Sequence, residues 1–220
     1  MLYFVSSLFG VFSLLYVPSV VFVSKDASDR ANAIQAHQLL FRAGIVSNLI
    51  GTVGFIFVAL ALFDLLKDVG KKLATVMVTL IVLSVPISML NEVNHLAALK
   101  LLTNPNISSS FQKPQIDAMV SLFLSLSGQG NLIAEIFWGL WLIPFGILVY
   151  KSGFLPRILG VLLVIACFGY LTDSFASLLY PGYPTVVDTV TKILTAGELP
   201  IIFWLLIMGA KNEPLLKSSS

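Results

Sequence analysis

The chain is poor in charge, histidine and cysteine. Of its 220 residues, 11% are charged, against roughly 25% in a typical soluble domain. A soluble protein this apolar lacks the polar surface to cover itself. One cysteine, Cys167, sits inside an apolar run, which excludes a disulfide framework. The net charge of +2 is small and no basic cluster or recognition motif appears, so nucleic acid is excluded as a partner. No glycine-rich phosphate loop is present, which argues against ATP-driven pumping within this chain. No G-x-S-x-G elbow is present, and two histidines leave little choice for a Ser-His-Asp arrangement.

What the chain has is hydrophobic residues, 57% of it, in runs long enough to cross a bilayer at about 20 residues each. The spacing predicts an all-α, polytopic transmembrane helix bundle of about six spans. They fall near 2–23, 43–66, 73–102, within 116–150, 158–180 and 187–210. Residues 1–210 read as a single transmembrane domain and 211–220 as a short cytoplasmic tail. The first run lacks a basic leader and a small-residue cleavage site, so it reads as an uncleaved helix rather than a signal peptide. Asp26, Ser28 or Asp29 is placed to cap a further helix. Tight basic turns at 67–72 and 151–157 join two pairs of spans, and 103–114 is the clearest loop.

Orientation follows from the cations. Lys67, Lys71, Lys72, Lys151, Arg157, Lys211 and Lys217 fall on one side. Lys25, Arg30, Arg42, Lys100, Lys113 and Lys192 fall on the other. The first set hugs the helix ends in two very short turns, so it is expected to be cytoplasmic, with both termini inside. A weak internal repeat accompanies this pattern. Ser47-Asn-Leu-Ile50 matches Gly130-Asn-Leu-Ile133, and Ile136-Phe-Trp138 matches Ile202-Phe-Trp204. Three helical hairpins in parallel repeat is one reading; chance similarity among apolar runs is the other.

The costly residues are the ionisable ones inside the spans. A charge near the bilayer centre costs about 2.5–3.5 kcal/mol on insertion scales. Glu92, Glu135, Asp173 and Glu198 fall inside apolar runs, with His95 beside them. At 1.5 Å per helical residue from the basic ends they lie roughly 28, 22, 24 and 18 Å up. Helical spacing groups Ser84, Ser88, Asn91, Glu92 and His95 on one face, and Gly128, Asn131, Glu135 and Gly139 on another. Gly44, Ser47, Asn48 and Gly51 form a third stripe; Gly169, Asp173, Ser177 and Tyr180 a fourth; Thr191, Thr195 and Glu198 a fifth. Turned inward, the stripes meet in one outward-facing polar cavity. The candidate ligand-binding set is therefore Asn48, Asn91, Glu92, His95, Asn131, Glu135, Asp173 and Glu198. The structural alternative is polar glue, each acid bonded to a neighbouring helix.

Pro86, Pro144 and Pro200 each free a backbone carbonyl one turn earlier, as in the broken helices of transporters; ordinary packing kinks do the same. Trp138, Trp141 and Trp204 lie too deep for an interfacial belt and either wall a lipid-like ligand or pack the core. Glu92-Val-Asn-His95 is a Glu-x-x-His, of which a di-metal bundle needs two. No metal or cofactor is implied, and no catalytic residue is assigned.

The runs AEIFWGLWLIPFG at 134–146 and VYKSGFLPRILG at 149–160 resemble the bacterial multi-spanning membrane proteins catalogued as domain of unknown function 4386. The resemblance extends through Tyr16-Val-Pro18, residues 40–47, residues 168–173 and Gly197-Glu198, nearly the whole chain. It implies a bacterial cytoplasmic membrane and no particular activity. Members begin with a short basic segment, whereas this chain starts directly at Met1-Leu-Tyr, which leaves an alternative start or truncation open. The leading functional expectation is small-solute or proton-linked transport, or ligand binding, through the polar cavity. The partners are the lipid bilayer and a small polar or lipid-like ligand. An accessory or scaffold protein is the first alternative. An intramembrane enzyme using Glu92, His95 and one more carboxylate is the second.

Overall fold

The computed structural model describes residues 1–24, 26–180, 182 and 184–209, and all regular structure among them is helical. Helix α1 covers Leu2–Val21. Its stretch Phe12–Tyr16 widens to a π-helix in which the Val17 amide donates to the Phe12 carbonyl. The cause is Pro18, which has no N–H to give the preceding turn. Helix α2, Ala27–Ala36, is capped by Asp26, whose carboxylate accepts from the amides of Ser28 and Asp29.

Helix α3 runs Gln38–Thr103, 66 residues, about 99 Å if straight. It is not straight. Gly70 leaves the helical region (φ −175°, ψ 88°) and divides it into an outgoing arm, 38–69, and a returning arm, 71–103. Asn48 on the first arm hydrogen-bonds Glu92 on the second. Each lies 22 residues from Gly70, so the arms form an antiparallel hairpin. The backbone stays helical through Pro86.

A short helix α4, Pro105–Ser108, occupies the expected loop, capped by Asn104. Helix α5, Lys113–Ser152, starts with a capping box between Gln112 and Gln115 and is interrupted at Trp141. Pro144 explains the interruption, because it cannot donate to the carbonyl of Leu140. Helix α6 covers Arg157–Leu179. Helix α7, Thr185–Ile207, carries a 3₁₀ turn at Ala196–Glu198 just ahead of Pro200. Lys25, Lys211, Lys217 and the tail at 211–220 lie outside the described residues, as do Pro181 and Tyr183.

Five helices are long and apolar enough to cross a membrane. With α3 folded at Gly70 they supply six apolar segments, the number the hydropathy predicts. Surface and interior are inverted relative to a soluble protein. Leu90 is 70% exposed and Phe168 59%, whereas Asn91, Glu92 and Ser127 are buried. Such an exterior suits lipid, and the polar groups turn inward to satisfy one another.

Two apolar clusters sandwich a polar layer. The cluster near the Gly70 turn is built on Leu62, Leu66, Met77 and Ile81 with Trp141, Phe145 and Leu163. Trp141 stacks on Phe145 at 5.1 Å. The cluster near α2 joins Val17, Ile34, Phe41, Leu99 and Val120. Between them, the outgoing arm contributes Ser47 and Asn48, the returning arm Ser84 to His95, and α5 Ser127 to Glu135.

Glycines set the helix spacing. On the outgoing arm, a Cβ at Gly44 would meet Val17 at 3.1 Å and one at Gly51 would meet Phe9 at 3.0 Å. The expected small stripe thus receives α1, and the Ser47 hydroxyl donates to the Phe9 carbonyl at 3.1 Å. The tightest approach to backbone joins α5 to α6: a Cβ at Gly160 would lie 2.5 Å from the Gly146 carbonyl oxygen. Backbone cannot yield as a side-chain tip does, so Gly160→Ala is expected to cost about 1–3 kcal/mol through overpacking. Thermal unfolding of the purified protein in detergent should show a clear drop for Gly160→Ala. Gly10→Ala, where a Cβ meets nothing within 4 Å, should leave the transition unchanged.

Candidate functional site

The returning arm of α3 carries the centre of the polar layer. One turn presents Asn91, Glu92 and His95. Glu92 accepts from the Asn48 side-chain amide through Oε1, and its Oε2 lies 2.8 Å from His95 Nδ1. His95 Nε2 lies 3.0 Å from the Ser127 hydroxyl on α5. Asn91 donates to the Ser127 carbonyl at 2.8 Å and to Asn131 Oδ1 at 3.0 Å. Asn94 donates to Asn91 Oδ1 at 3.1 Å. The two matched Asn-Leu-Ile segments therefore dock their asparagines side by side, Asn48 on Glu92 and Asn131 on Asn91. Gly130 makes room: a Cβ there would fall 2.1 Å from Asn91 Oδ1.

A second polar group lies nearer the Trp141 cluster. Glu198 accepts hydrogen bonds from the hydroxyls of Tyr3 and, at 3.2 Å, Tyr170. Glu135 sits beside Asp173, and Asp173 accepts from the Thr191 hydroxyl at 3.0 Å. Glu135 Oε2 is buried with no hydrogen-bond partner among the described residues. An unmade bond at a buried carboxyl costs more than its formation would contribute.

Two cavities open within this layer. The smaller, about 230 Å³, is lined by Glu92, His95, Ser127, Gly128 and apolar side chains of α1. The larger, about 490 Å³, is lined by Glu135, Glu198, Tyr3, Tyr170, Ser84, Ser88 and Trp138. Both have Leu14, Asn48 and Asn131 in their walls. Of the eight expected site residues, Asn48, Asn91, Glu92, His95 and Asn131 form one hydrogen-bonded network. Glu135 and Glu198 line the larger cavity, and Asp173 lines neither. Trp141 packs in the core and, with Trp138, walls the larger cavity.

Three participants were not singled out from the sequence. Ser127 lies one turn before Asn131 on the same face, and Tyr170 lies one turn before Asp173; both were findable from helical spacing. Tyr3 carried no signal, because its partner is 195 residues away. Two histidines leave little choice for a Ser-His-Asp arrangement, and the contact found is with a glutamate. Ser127, His95 and Glu92 lie in one hydrogen-bonded row, because a three-residue step on one helix puts Glu92 against His95 while α5 supplies the hydroxyl.

This is the architecture of a polytopic α-helical membrane protein with a hydrogen-bonded polar interior. The chain belongs to the family described as Domain of unknown function (DUF4386), which matches residues 1–209. It is 37% identical over 86 residues to an uncharacterized protein of Archaeoglobus fulgidus, a stretch covering 39% of this chain and 50% of that protein. The chain thus spans about half the length of the curated relative it matches. No solved structure matches it.

Asn91 makes contacts on three sides, so Asn91→Ala leaves the amides of Asn94 and the carbonyl of Asn131 unpaired. The expected loss is about 1–3 kcal/mol, read as reduced thermal stability in detergent. Asn32→Ala, which removes only an exposed contact with Lys113, should be neutral in the same measurement.

Proposed function

We propose that this protein binds a small polar or lipid-like solute in its polar interior and exchanges protons with it, as a proton-linked transporter or ligand-binding protein. The observation that carries the reading is Glu135. Its Oε2 is buried without a partner, in the wall of a cavity of about 490 Å³, a volume within the range of small-molecule sites. Glu198 has two tyrosine hydroxyls to hold it; Glu135 keeps an acceptor for a ligand. With Asp173 beside it, two neighbouring carboxyls share a proton at lower cost than they carry two charges. A cationic or polar solute entering the cavity would displace that proton.

The scaffold alternative draws on the paired groups. Glu92, Glu198, Ser174 and Thr191 each reach across to a different helix, as polar glue does. It offers no account of the bare oxygen on Glu135.

Intrinsic tryptophan fluorescence separates the two, because Trp138 shares the cavity wall with Glu135. The expected result is a pH-dependent change in the purified protein that Glu135→Gln abolishes without loss of thermal stability. In proteoliposomes, solute-driven proton movement should be lost in the same variant. A flat titration in the unmodified protein, with no solute moving protons, would leave the scaffold reading in its place.

The proposed setting is a bacterial cytoplasmic membrane, with the Lys67–Lys72 and Lys151–Arg157 turns and both termini on the cytoplasmic side. In a Cys167→Ser background, a membrane-impermeant thiol reagent applied to intact cells should label Ser109→Cys and spare Lys71→Cys. The reverse pattern would invert the topology.

A further inference from the structure

We propose that Ser127, His95 and Glu92 form a hydrolytic relay, with Ser127 as nucleophile and an acyl ester at the bilayer interface as its substrate class. Both Glu92 oxygens face donors, Asn48 on one side and His95 Nδ1 on the other. In the relay, His95 Nδ1–H donates its hydrogen bond to Glu92 Oε2. That tautomer turns the Nε2 lone pair toward the Ser127 hydroxyl, 3.0 Å away. A nucleophile bonded to a base, and a base oriented by a third group, is the geometry nucleophilic catalysis requires. Glu92 does not touch the substrate; it is a positioning residue.

The donor assigned to the developing oxyanion is the Asn131 amide. The Ser127 carbonyl accepts only, so Asn91 must present its amide nitrogen there. Asn91 therefore also donates to Asn131, which presents its oxygen. The Asn131 amide nitrogen is left without a hydrogen bond among the described residues, one helical turn beyond Ser127 and in the cavity wall. Gly128, next to the nucleophile, has nothing within 4 Å of where a Cβ would stand, so a carbonyl group has room. Leu14, Val17, Phe22 and Phe41 complete the wall and suit an acyl chain.

Depth fixes the substrate class. His95 lies 25 residues beyond Gly70, or about 37 Å at 1.5 Å per residue. The hydrocarbon core is about 30 Å thick. With the Gly70 turn set at one face of the bilayer, the relay falls near the opposite face, where ester carbonyls meet water. Ser127 Oγ bonds the ester carbonyl carbon as its proton passes to His95 Nε2. The carbon–oxygen bond to the alcohol then breaks, and the alcohol leaves with that proton. Water attacks the acyl-Ser127 ester, giving its proton to Nε2, and the carboxylic acid departs as Ser127 recovers the proton. The net reaction is ester plus water to acid plus alcohol.

The inference does not rest on the solute reading. It fails without disturbing any pH response carried by Glu135, and it stands if that response is absent. The test treats the purified full chain with a fluorophosphonate probe and locates the adduct by peptide mass spectrometry. The expected adduct is on Ser127, lost in Ser127→Ala, lowered by about 100-fold or more in His95→Gln, and kept in Ser125→Ala. Glu92→Gln should lower kcat for p-nitrophenyl butyrate with KM kept, an effect a purely structural role would not produce. Hydrolysis of phosphatidylcholine vesicles but not of the soluble ester marks a lipid substrate, and the opposite marks a soluble one; either supports the relay. Thermal unfolding of each variant shows whether it folds. If His95→Gln does not fold, the unmodified protein decides alone. No adduct on Ser127, or an adduct and turnover that persist in a folded His95→Gln, overturns the proposal.

Discussion

A carboxyl group buried among apolar helices must find hydrogen-bond partners within the protein, and Glu92 organises the molecule by doing so. It is held from one side by Asn48 and from the other by His95. The first bond closes the α3 hairpin 22 residues from its turn on either arm. The second, through His95 and Ser127, ties that hairpin to α5. Asn91, one residue away, makes the same connection through Ser127 and Asn131. Three long segments thus share one register. Sliding any of them by a residue would leave several polar groups bare in a medium that cannot solvate them.

Apolar packing then surrounds that layer rather than competing with it. Trp141, Phe145 and their neighbours fill the end near the Gly70 turn, and Phe41, Leu99 and Val120 fill the other. Glycines let the helices close on each other where lipid gives no hydrophobic drive for them to do so. The contact of Gly146 with Gly160 is the tightest of these to backbone. The cavities occur where polar side chains hold the helices apart, between the two packed ends.

Much of this was legible in the sequence. The turn at Gly70 followed from glycine and lysines between two apolar runs. The inward stripes followed from helical periodicity, and Gly44, Ser47 and Gly51 receive α1 as their small size implied. The breaks before Pro144 and Pro200 fall where a missing N–H puts them. Pairing was harder to read. Which acid meets which partner depends on the rotation of each helix and on contacts far apart in the chain, and periodicity specifies neither. Glu198 finds Tyr3 at the other end of the sequence, and Asp173 finds Thr191 rather than the cavity. Ser127 was overlooked because serine is common on packed helix faces, although its spacing from Asn131 puts it on the polar face, and His95 meets it there.

The proposed function requires the polar layer to enclose space reached by water and solutes, rather than to be sealed by its own hydrogen bonds. Substituted-cysteine accessibility at Gly128 tests this most directly, because the position is open and lines the smaller cavity. In a Cys167→Ser background, a charged, water-borne thiol reagent should modify Gly128→Cys readily and leave a lipid-facing Leu122→Cys untouched. If Gly128→Cys is as inert as Leu122→Cys while an exposed Ser109→Cys reacts, the interior is closed and the account is wrong.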